Sequence, residues 1–310
     1  MIEDRILSTI RFFDLQNLPL TASEVFKYLL GQPGVDDDYE LKVQQEVAAV
    51  DFAVVISVLD SLVSRGALDQ FRGYVCLPGK RLIIGERLRA LAHGRVREKR
   101  LARFMPFVRH LPFVRGVALA GSQAFGKERK ESDIDLLVIT DREFLWVART
   151  LITGYFQLLG IRRHHDKIAD RICLNHYVIE SAAPLAGQNL YTALEYYKFR
   201  PLVYPGSLYH FQKNNISWIE QFFPNVRLFV PDAIPVPQSR IQKVLETIIK
   251  KTIGRWLEFE LGALQSARIR QHEKFIVVSD QELSFHPNSK QESLLSSFYK
   301  GEHHEQRITE

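Results

Sequence analysis

A strand, a tight turn and a second strand are encoded between residues 113 and 140, and this segment constrains the fold more than any other. Residues 113–120 form an apolar run of β type that ends at Gly121. A second run, residues 136–140, follows Asp-Ile-Asp at 133–135. Short apolar runs bounded by turn residues are typical of strands buried in a sheet. The sequence therefore predicts a sheet in which a polar connection joins two buried strands.

Asp133 and Asp135 are the first candidates for a metal site. Side chains two positions apart on a strand point to the same side, so both carboxylates project together while Ile134 enters the core. Two carboxylates on one face repel each other unless cations join them, and hard divalent ions such as Mg²⁺ or Mn²⁺ prefer oxygen ligands. We expect both aspartates to hold such an ion together with substrate phosphates.

The connection before this pair offers groups that suit a phosphate. Gly121 lets the backbone turn sharply and approach a ligand closely, and Ser122 offers a hydroxyl and an amide. Lys127, Arg129 and Lys130 either neutralise a triphosphate or are simply solvated, and solvation is the preferred interpretation for the last two. The candidate nucleotide-binding residues here are Gly121, Ser122 and Lys127.

The segment GVALAGSQAFGKERKESDIDLLVIT resembles the signature of the DNA-polymerase-beta-like nucleotidyltransferase superfamily, in its minimal nucleotidyltransferase type. That signature is Gly-Ser, a short helix and turn, and Asp-x-Asp on the next strand. The resemblance implies transfer of a nucleoside monophosphate from a nucleoside triphosphate (NTP) through a two-metal mechanism anchored by Asp133 and Asp135. It also implies that Ser122 holds the β or γ phosphate, and it adds Ser132 to the nucleotide-binding candidates.

Active members of this superfamily usually add a third carboxylate from a later strand. The next good strand is residues 171–179, RICLNHYVI, with Asn175 in its interior. Asn175 can ligate through its carbonyl but supplies no charge and cannot act as a base. We therefore expect Asp170, just before this strand, to be the third catalytic residue, ahead of Asp166 and Glu180.

Composition and periodicity divide the chain into five segments. We predict a winged-helix-like domain at 1–80, a basic connecting helix at 81–110, a nucleotidyltransferase core at 111–185, a helical C-terminal region at 186–300 and a polar tail at 301–310. The expected fold class is α/β: an α+β nucleotidyltransferase core with a mixed sheet, flanked by an N-terminal winged helix-turn-helix domain and a C-terminal helical region. Thr21 to Glu24 have the T-x-x-E form of a capping box.

Residues 1–80 raise the question of DNA binding. A winged-helix domain often places its third helix in the major groove, which calls for cationic or amide side chains on the exposed face. Between residues 52 and 65 the polar positions are three serines, one aspartate and one arginine. DNA binding is therefore one hypothesis beside a structural or partner-docking role. The basic run at 80–103 is likewise either a solvated linker helix or a track for a phosphate backbone.

Composition indicates a globular protein of a reducing compartment. The net charge of +5 is compatible with a polyanionic partner but modest for 310 residues. Two cysteines, Cys76 and Cys173, are too few for a disulfide framework, so we expect a cytoplasmic protein. The most apolar stretch, residues 144–161, has the spacing of a buried amphipathic helix, and we expect no membrane partner.

The sequence leaves the acceptor open among a small molecule, a protein and RNA. The alternative from a different functional class is a non-catalytic, nucleotide-sensing DNA-binding regulator. Such a regulator would bind a nucleotide without turnover, whereas an enzyme would transfer it and depend on Asp133 and Asp135.

Overall fold

A computed structural model of the protein describes residues 2–31, 34–35, 41–42, 50–164, 167–182, 187–228, 236–272, 277–279, 281–285 and 288–309. Asp166, a weaker candidate for the third acid, lies outside these ranges. Across the described ranges, no helix combines the length and the apolar character needed to cross a bilayer.

The N-terminal unit combines helices with a small antiparallel sheet. Its elements are α1 (Ile2–Asp14), β1 (Leu20–Thr21), α2 (Ala22–Lys27), β2 (Gly34–Val35), β3 (Leu41–Lys42), α3 (Phe52–Ser64), β4 (Asp69–Phe71) and β5 (Tyr74–Cys76). The sheet has the order β1-β5-β4, and β2 pairs with β3. The predicted capping box is confirmed, since Thr21 and Glu24 each accept a hydrogen bond from the other's backbone N–H. The winged-helix assignment stays a prediction.

The predicted basic connection consists of α4 (Leu82–Leu101) and α5 (Met105–Val108). Two cations of α4, Arg87 and Arg97, are only 6% and 5% exposed. Arg87 donates to the carbonyl of Pro19 and to the carboxylate of Glu24 in the N-terminal unit. The side chains of these two arginines therefore make contacts within the protein. They are neither solvated nor available to bind a nucleic-acid backbone.

The central sheet is mixed, as predicted. It contains β6 (Val114–Leu119), β7 (Ile134–Thr140), β8 (Ile172–Ile179), β9 (Arg200–Val203), β10 (Val277–Val278) and β11 (Glu282–Ser284), in the order β10-β11-β8-β7-β6-β9. β7 and β8 run parallel, and the other neighbouring pairs are antiparallel. The short helix α6 (Gly121–Phe125) follows β6, and α7 (Leu145–Leu158) connects β7 to β8. α7 is the predicted buried amphipathic helix, with Ile152 and Phe156 inaccessible to solvent.

The C-terminal part contributes α8 (Leu190–Lys198), α9 (Pro205–Phe222), α10 (Arg240–Lys251), α11 (Gly254–His272) and α12 (Asn288–Thr309). Most of the described residues in the predicted helical region at 186–300 are helical, but β9, β10 and β11 also lie within it and join the core sheet. Strands of two to four residues are too short to show an alternating pattern, which is why the sequence did not predict them. Residues 301–309 of the predicted polar tail form the last part of α12.

One hydrophobic cluster joins the N-terminal unit, the core and the C-terminal helices. Phe12 of α1 packs edge-on against Phe298 of α12, with ring centroids 5.3 Å apart. Asn225, after α9, donates to the carbonyl of Phe26 and accepts from the N–H of Val50, both at 2.9 Å. The N-terminal unit is therefore packed onto the core, and α4 lies between them.

Candidate active site

Asp133, Asp135 and Cys173 come together where β7 and β8 run side by side. Asp133 directly precedes β7, and Asp135 lies opposite Cys173 in the parallel register. One carboxylate oxygen of each aspartate and the Cys173 sulfur lie within 4.8 Å of one another. Within the described part of the chain, this is the one group of three or more acidic, thiol or imidazole side chains close enough to share a metal ion.

Gly121 brings the start of α6 against Asp135. Its φ of +57° lies in the left-handed region, where a residue with a Cβ is strained. A Cβ at this position would overlap Oδ2 of Asp135 and lie 2.9 Å from its Cγ. The N–H of Ala120 also donates to the carbonyl oxygen of Asp135 at 3.0 Å. The Gly-Ser turn and the carboxylate pair therefore form one packed unit, and glycine is the residue that allows it.

Two polar side chains bind the carboxylates. Nη1 of Arg163 lies 2.6 Å from Oδ2 of Asp133, and Nδ2 of Asn175 donates to Oδ1 of Asp135 at 2.8 Å. The contacts of Asn175 and Cys173 place both side chains toward the pair, in a part of β8 where the register with β7 shifts by one residue. These contacts offset the repulsion between the carboxylates. The Arg163 side chain is 45% exposed, so it has room to move aside when a cation binds.

The Cys173 sulfur is a weak ligand at neutral pH. Burial, followed by the negative charges of Asp135 and Asp133, raises the pKa of the thiol to about 12. The thiolate, not the thiol, is the form that ligates metals. The oxygens of the two aspartates therefore dominate the site, which fits a hard cation such as Mg²⁺ or Mn²⁺ better than a thiolate-bound metal.

Asp170, the predicted third acid, is not part of this group. Its Oδ1 accepts a hydrogen bond from Nε of Arg97 in α4 at 2.6 Å. Nη2 of Arg97 donates to three carbonyl oxygens of the loop at residues 129–132, at 2.8 to 3.1 Å. The backbone N–H of Asp170 donates to the last of these carbonyls, that of Ser132, at 3.1 Å. Arg97 and Asp170 therefore hold the loop that leads directly into Asp133.

A cavity of about 600 Å³ lies between the N-terminal unit, α4 and the connection from α6 to β7. Ser122, Lys127 and Ser132, three of the four predicted nucleotide-binding residues, line it; the fourth, Gly121, faces Asp135. Five cationic and three acidic side chains contribute to the wall, so its net charge favours an anionic occupant. The N-terminal unit also contributes, and Nζ of Lys127 lies 3.4 Å from Oε1 of Gln16.

Glu128 is a buried carboxyl group in the wall of this cavity. It is 5% exposed, and its Oε2 has no hydrogen-bond partner among the described residues. Burial raises its pKa to about 7. At neutral pH this group is therefore partly protonated, and its acid form can donate a hydrogen bond to an anion.

Arg97, Arg163, Cys173 and Glu128 were not predicted from the sequence as parts of the site. The alternation of β8 was the one available signal, because it places Cys173 on the same face as Asn175. The two arginines reach the site across long sequence separations, and such contacts leave no local pattern.

Residues 101–175 match the family model described as a nucleotidyltransferase domain. Neither a search of curated proteins nor a search of solved structures gives a match to the chain. The matched stretch contains β6, α6, β7, α7 and the beginning of β8, and with them the carboxylate pair and the Gly-Ser turn. The match supports the assignment of this part of the chain to the nucleotidyltransferase superfamily, and the mixed sheet is consistent with a core of that kind.

Proposed function

We propose that the protein transfers a nucleoside monophosphate from an NTP to an acceptor hydroxyl or similar nucleophile. The packing of Gly121 against Asp135 carries this proposal, because it places the Gly-Ser turn beside the carboxylate pair. The matched nucleotidyltransferase domain contains both features. A metal-binding pair and a phosphate-binding turn held on one sheet provide the positioning that phosphoryl chemistry needs.

Each group in the site has a role in this proposal. Asp133 and Asp135 hold Mg²⁺ or Mn²⁺, and two such ions, when bound, activate the attacking oxygen and stabilise the leaving group. Ser122 donates its hydroxyl to the β or γ phosphate. Lys127 neutralises the triphosphate, together with those cations of the cavity wall that are not bound within the protein as Arg87 is, and Ser132 lines the same space. Partial protonation of Glu128 reduces the repulsion of an anion there.

The reaction is a single displacement at phosphorus. The acceptor oxygen forms a bond to the α-phosphorus while the bond from that phosphorus to the oxygen bridging the β-phosphorus breaks. Pyrophosphate leaves with the electron pair of the broken bond, and the proton of the acceptor is lost to solvent. Asp170 acts at a distance in this scheme: it positions Arg97, and Arg97 positions the 129–132 loop before Asp133.

One observation favours the alternative of a nucleotide-sensing regulator without turnover. Cys173 and Asn175, not carboxylates, face the aspartates from β8. Neither group can take the proton of an acceptor as a third carboxylate would, so a metal and a nucleotide can bind while turnover is weak. The N-terminal unit gives little support to the DNA-binding part of this alternative, since α3 exposes Phe52, Val54 and Ile56.

Label transfer separates the two functions. The protein is incubated with each of four α-³²P-labelled NTPs, Mg²⁺ or Mn²⁺, and a cell extract as the source of acceptors. We expect labelled product with the wild type and none with Asp133→Asn/Asp135→Asn. Glu143→Gln, which changes an exposed acid, serves as the matched control and should transfer label normally. Nucleotide binding by the wild type without transfer to any acceptor would favour the regulator.

A further inference from the structure

The helix α10 is attached to the core by its polar side chains. Gln242 is fully buried and donates through Nε2 to the carbonyls of Leu111 and Val114, at 2.9 and 2.7 Å. Glu246 accepts from the N–H of Phe113 at 2.7 Å and from the guanidinium of Arg115 at 2.6 Å. A surface helix normally buries its apolar face and exposes its polar face. α10 has the opposite orientation.

The outward face of α10 is consequently apolar. Ile241, Val244, Leu245 and Ile248 are 56%, 58%, 39% and 54% exposed, and their spacing places them on one stripe. Single exposed apolar residues are ordinary, whereas a continuous stripe marks an interaction surface.

The apolar surface continues along the chain into α11. Ile253, Trp256 and Phe259 are 55%, 61% and 72% exposed. α11 is held in part by polar contacts, because the Glu258 carboxylate accepts from the N–H groups of Trp146 and Val147 at 2.8 and 2.9 Å. Leu257 and Leu261 of the same helix pack against the core. Nine of the twenty large apolar residues exposed in the described chain fall between residues 236 and 264. This concentration shows that the exposure is a property of this surface and not of the protein as a whole.

The charged residues exposed beside the stripe are all basic. Between residues 236 and 257 they are Arg240, Lys251 and Arg255, whereas Glu246 and Lys250 are turned inward, with Nζ of Lys250 3.7 Å from Oδ2 of Asp141. Lys243 follows the buried Gln242 and lies on the side of α10 away from the stripe. Arg240 and Lys251 lie four residues before and seven residues after Val244, so they border the stripe directly. The surface therefore combines aliphatic and aromatic side chains with a positive rim.

We propose that the surface formed by α10 and the beginning of α11 docks on an anionic lipid bilayer. Apolar and aromatic side chains that enter the headgroup boundary, with Lys and Arg beside them for anionic headgroups, are the features of an interfacial helix. A second copy of the chain fits less well, because pairing two such surfaces would bring two basic rims together. The sequence predicted no membrane partner, and this peripheral contact involves no spanning helix.

Vesicle flotation of the full chain tests the proposal. The wild type should float with vesicles of equal parts phosphatidylcholine and phosphatidylglycerol and remain in solution with phosphatidylcholine alone. Val244→Asp/Ile248→Asp should weaken partitioning at least about tenfold, since it places charge in the apolar stripe. Arg240→Glu/Lys251→Glu should weaken it by about tenfold or more and reduce its salt sensitivity.

The control is Leu158→Asp, at the end of α7 and outside this surface, where the leucine is 91% exposed. It should float like the wild type, and thermal unfolding should show that every variant is folded. Absence of flotation by the folded wild type would overturn the proposal. Equal binding to neutral vesicles would also overturn it. A dimer seen by light scattering, abolished by Val244→Asp/Ile248→Asp and without flotation, would overturn it in favour of a second copy.

Discussion

Lys198, the last residue of α8, offers a quantitative test of how the N-terminal unit packs on the core. It is 8% exposed, and its Nζ lies 5.5, 4.6 and 4.9 Å from the ring centroids of Phe13, Tyr28 and Phe125. Burial lowers its pKa from 10.5 to about 7, and the negative charge of Glu24 offsets only part of that effect. The buried ammonium therefore destabilises the folded state.

The size of this effect follows from proton linkage. In the unfolded chain Lys198 keeps its ordinary pKa of 10.5, so above pH 7 the unfolded state binds more protons than the folded state. The free energy of unfolding therefore rises with pH in this range. At about 1.4 kcal/mol per pKa unit, the rise between pH 7 and pH 9 amounts to about 2 kcal/mol. Because the three rings favour the charged form, this figure is an upper limit.

Replacement of this lysine by methionine removes the charge and keeps a long apolar side chain. Lys198→Met should be more stable than the wild type at pH 7, by up to about 4 kcal/mol, with a smaller gain at pH 9. Urea unfolding followed by tryptophan fluorescence at both pH values measures the difference. Lys250→Met is the matched control, since Nζ of Lys250 also lies over two rings but its side chain is 43% exposed. Parallel curves for wild type and Lys198→Met across this pH range would refute the reasoning.

Three further predictions concern the site itself. Gly121→Ala should lower the free energy of unfolding by roughly 1–2 kcal/mol, because alanine is strained in the left-handed backbone conformation. Its methyl group should also displace Asp135, so label transfer should fall by more than the lost stability explains. Normal transfer would contradict the packing of Gly121 against Asp135. Asp170→Asn should reduce kcat by less than about tenfold, because Asp170 acts only through Arg97. A decrease of kcat by more than about a hundredfold would instead indicate that Asp170 is a catalytic acid. Cys173→Ser should retain Mg²⁺-dependent transfer, and a folded variant that loses transfer with both Mg²⁺ and Mn²⁺ would contradict the minor role of the sulfur.

Local patterns predicted the part of the site that is local in sequence. Alternation put Asp133 and Asp135 on one side of a strand, and the Gly-Ser turn lies next to them because a single short helix connects β6 to β7. The capping box at Thr21 is confirmed for the same reason: its two partners are three residues apart.

The other parts of the fold depend on contacts without a local trace. Asp170 precedes β8 as expected, but its φ of +58° and its bond to Arg97, 73 residues away, decide where its carboxylate lies. β11 has three residues and pairs with β8 from about a hundred positions away along the chain, so neither periodicity nor turn residues indicate it. The orientation of α10 depends on its contacts with Arg115 and with the carbonyl groups near β6. The sequence of α10 alone predicts that its apolar face is buried, whereas the structure buries its polar face.

The two buried arginines of α4 give this helix a mechanical role. Arg87 is bound to the N-terminal unit, and Arg97 is bound to the loop before Asp133. The two residues are ten positions apart on the same helix, which corresponds to about 15 Å along its axis. A ligand that moves the N-terminal unit relative to the core would therefore also move α4, and with it the loop before Asp133. By reciprocity, a nucleotide in the cavity would change the affinity for such a ligand by the same factor.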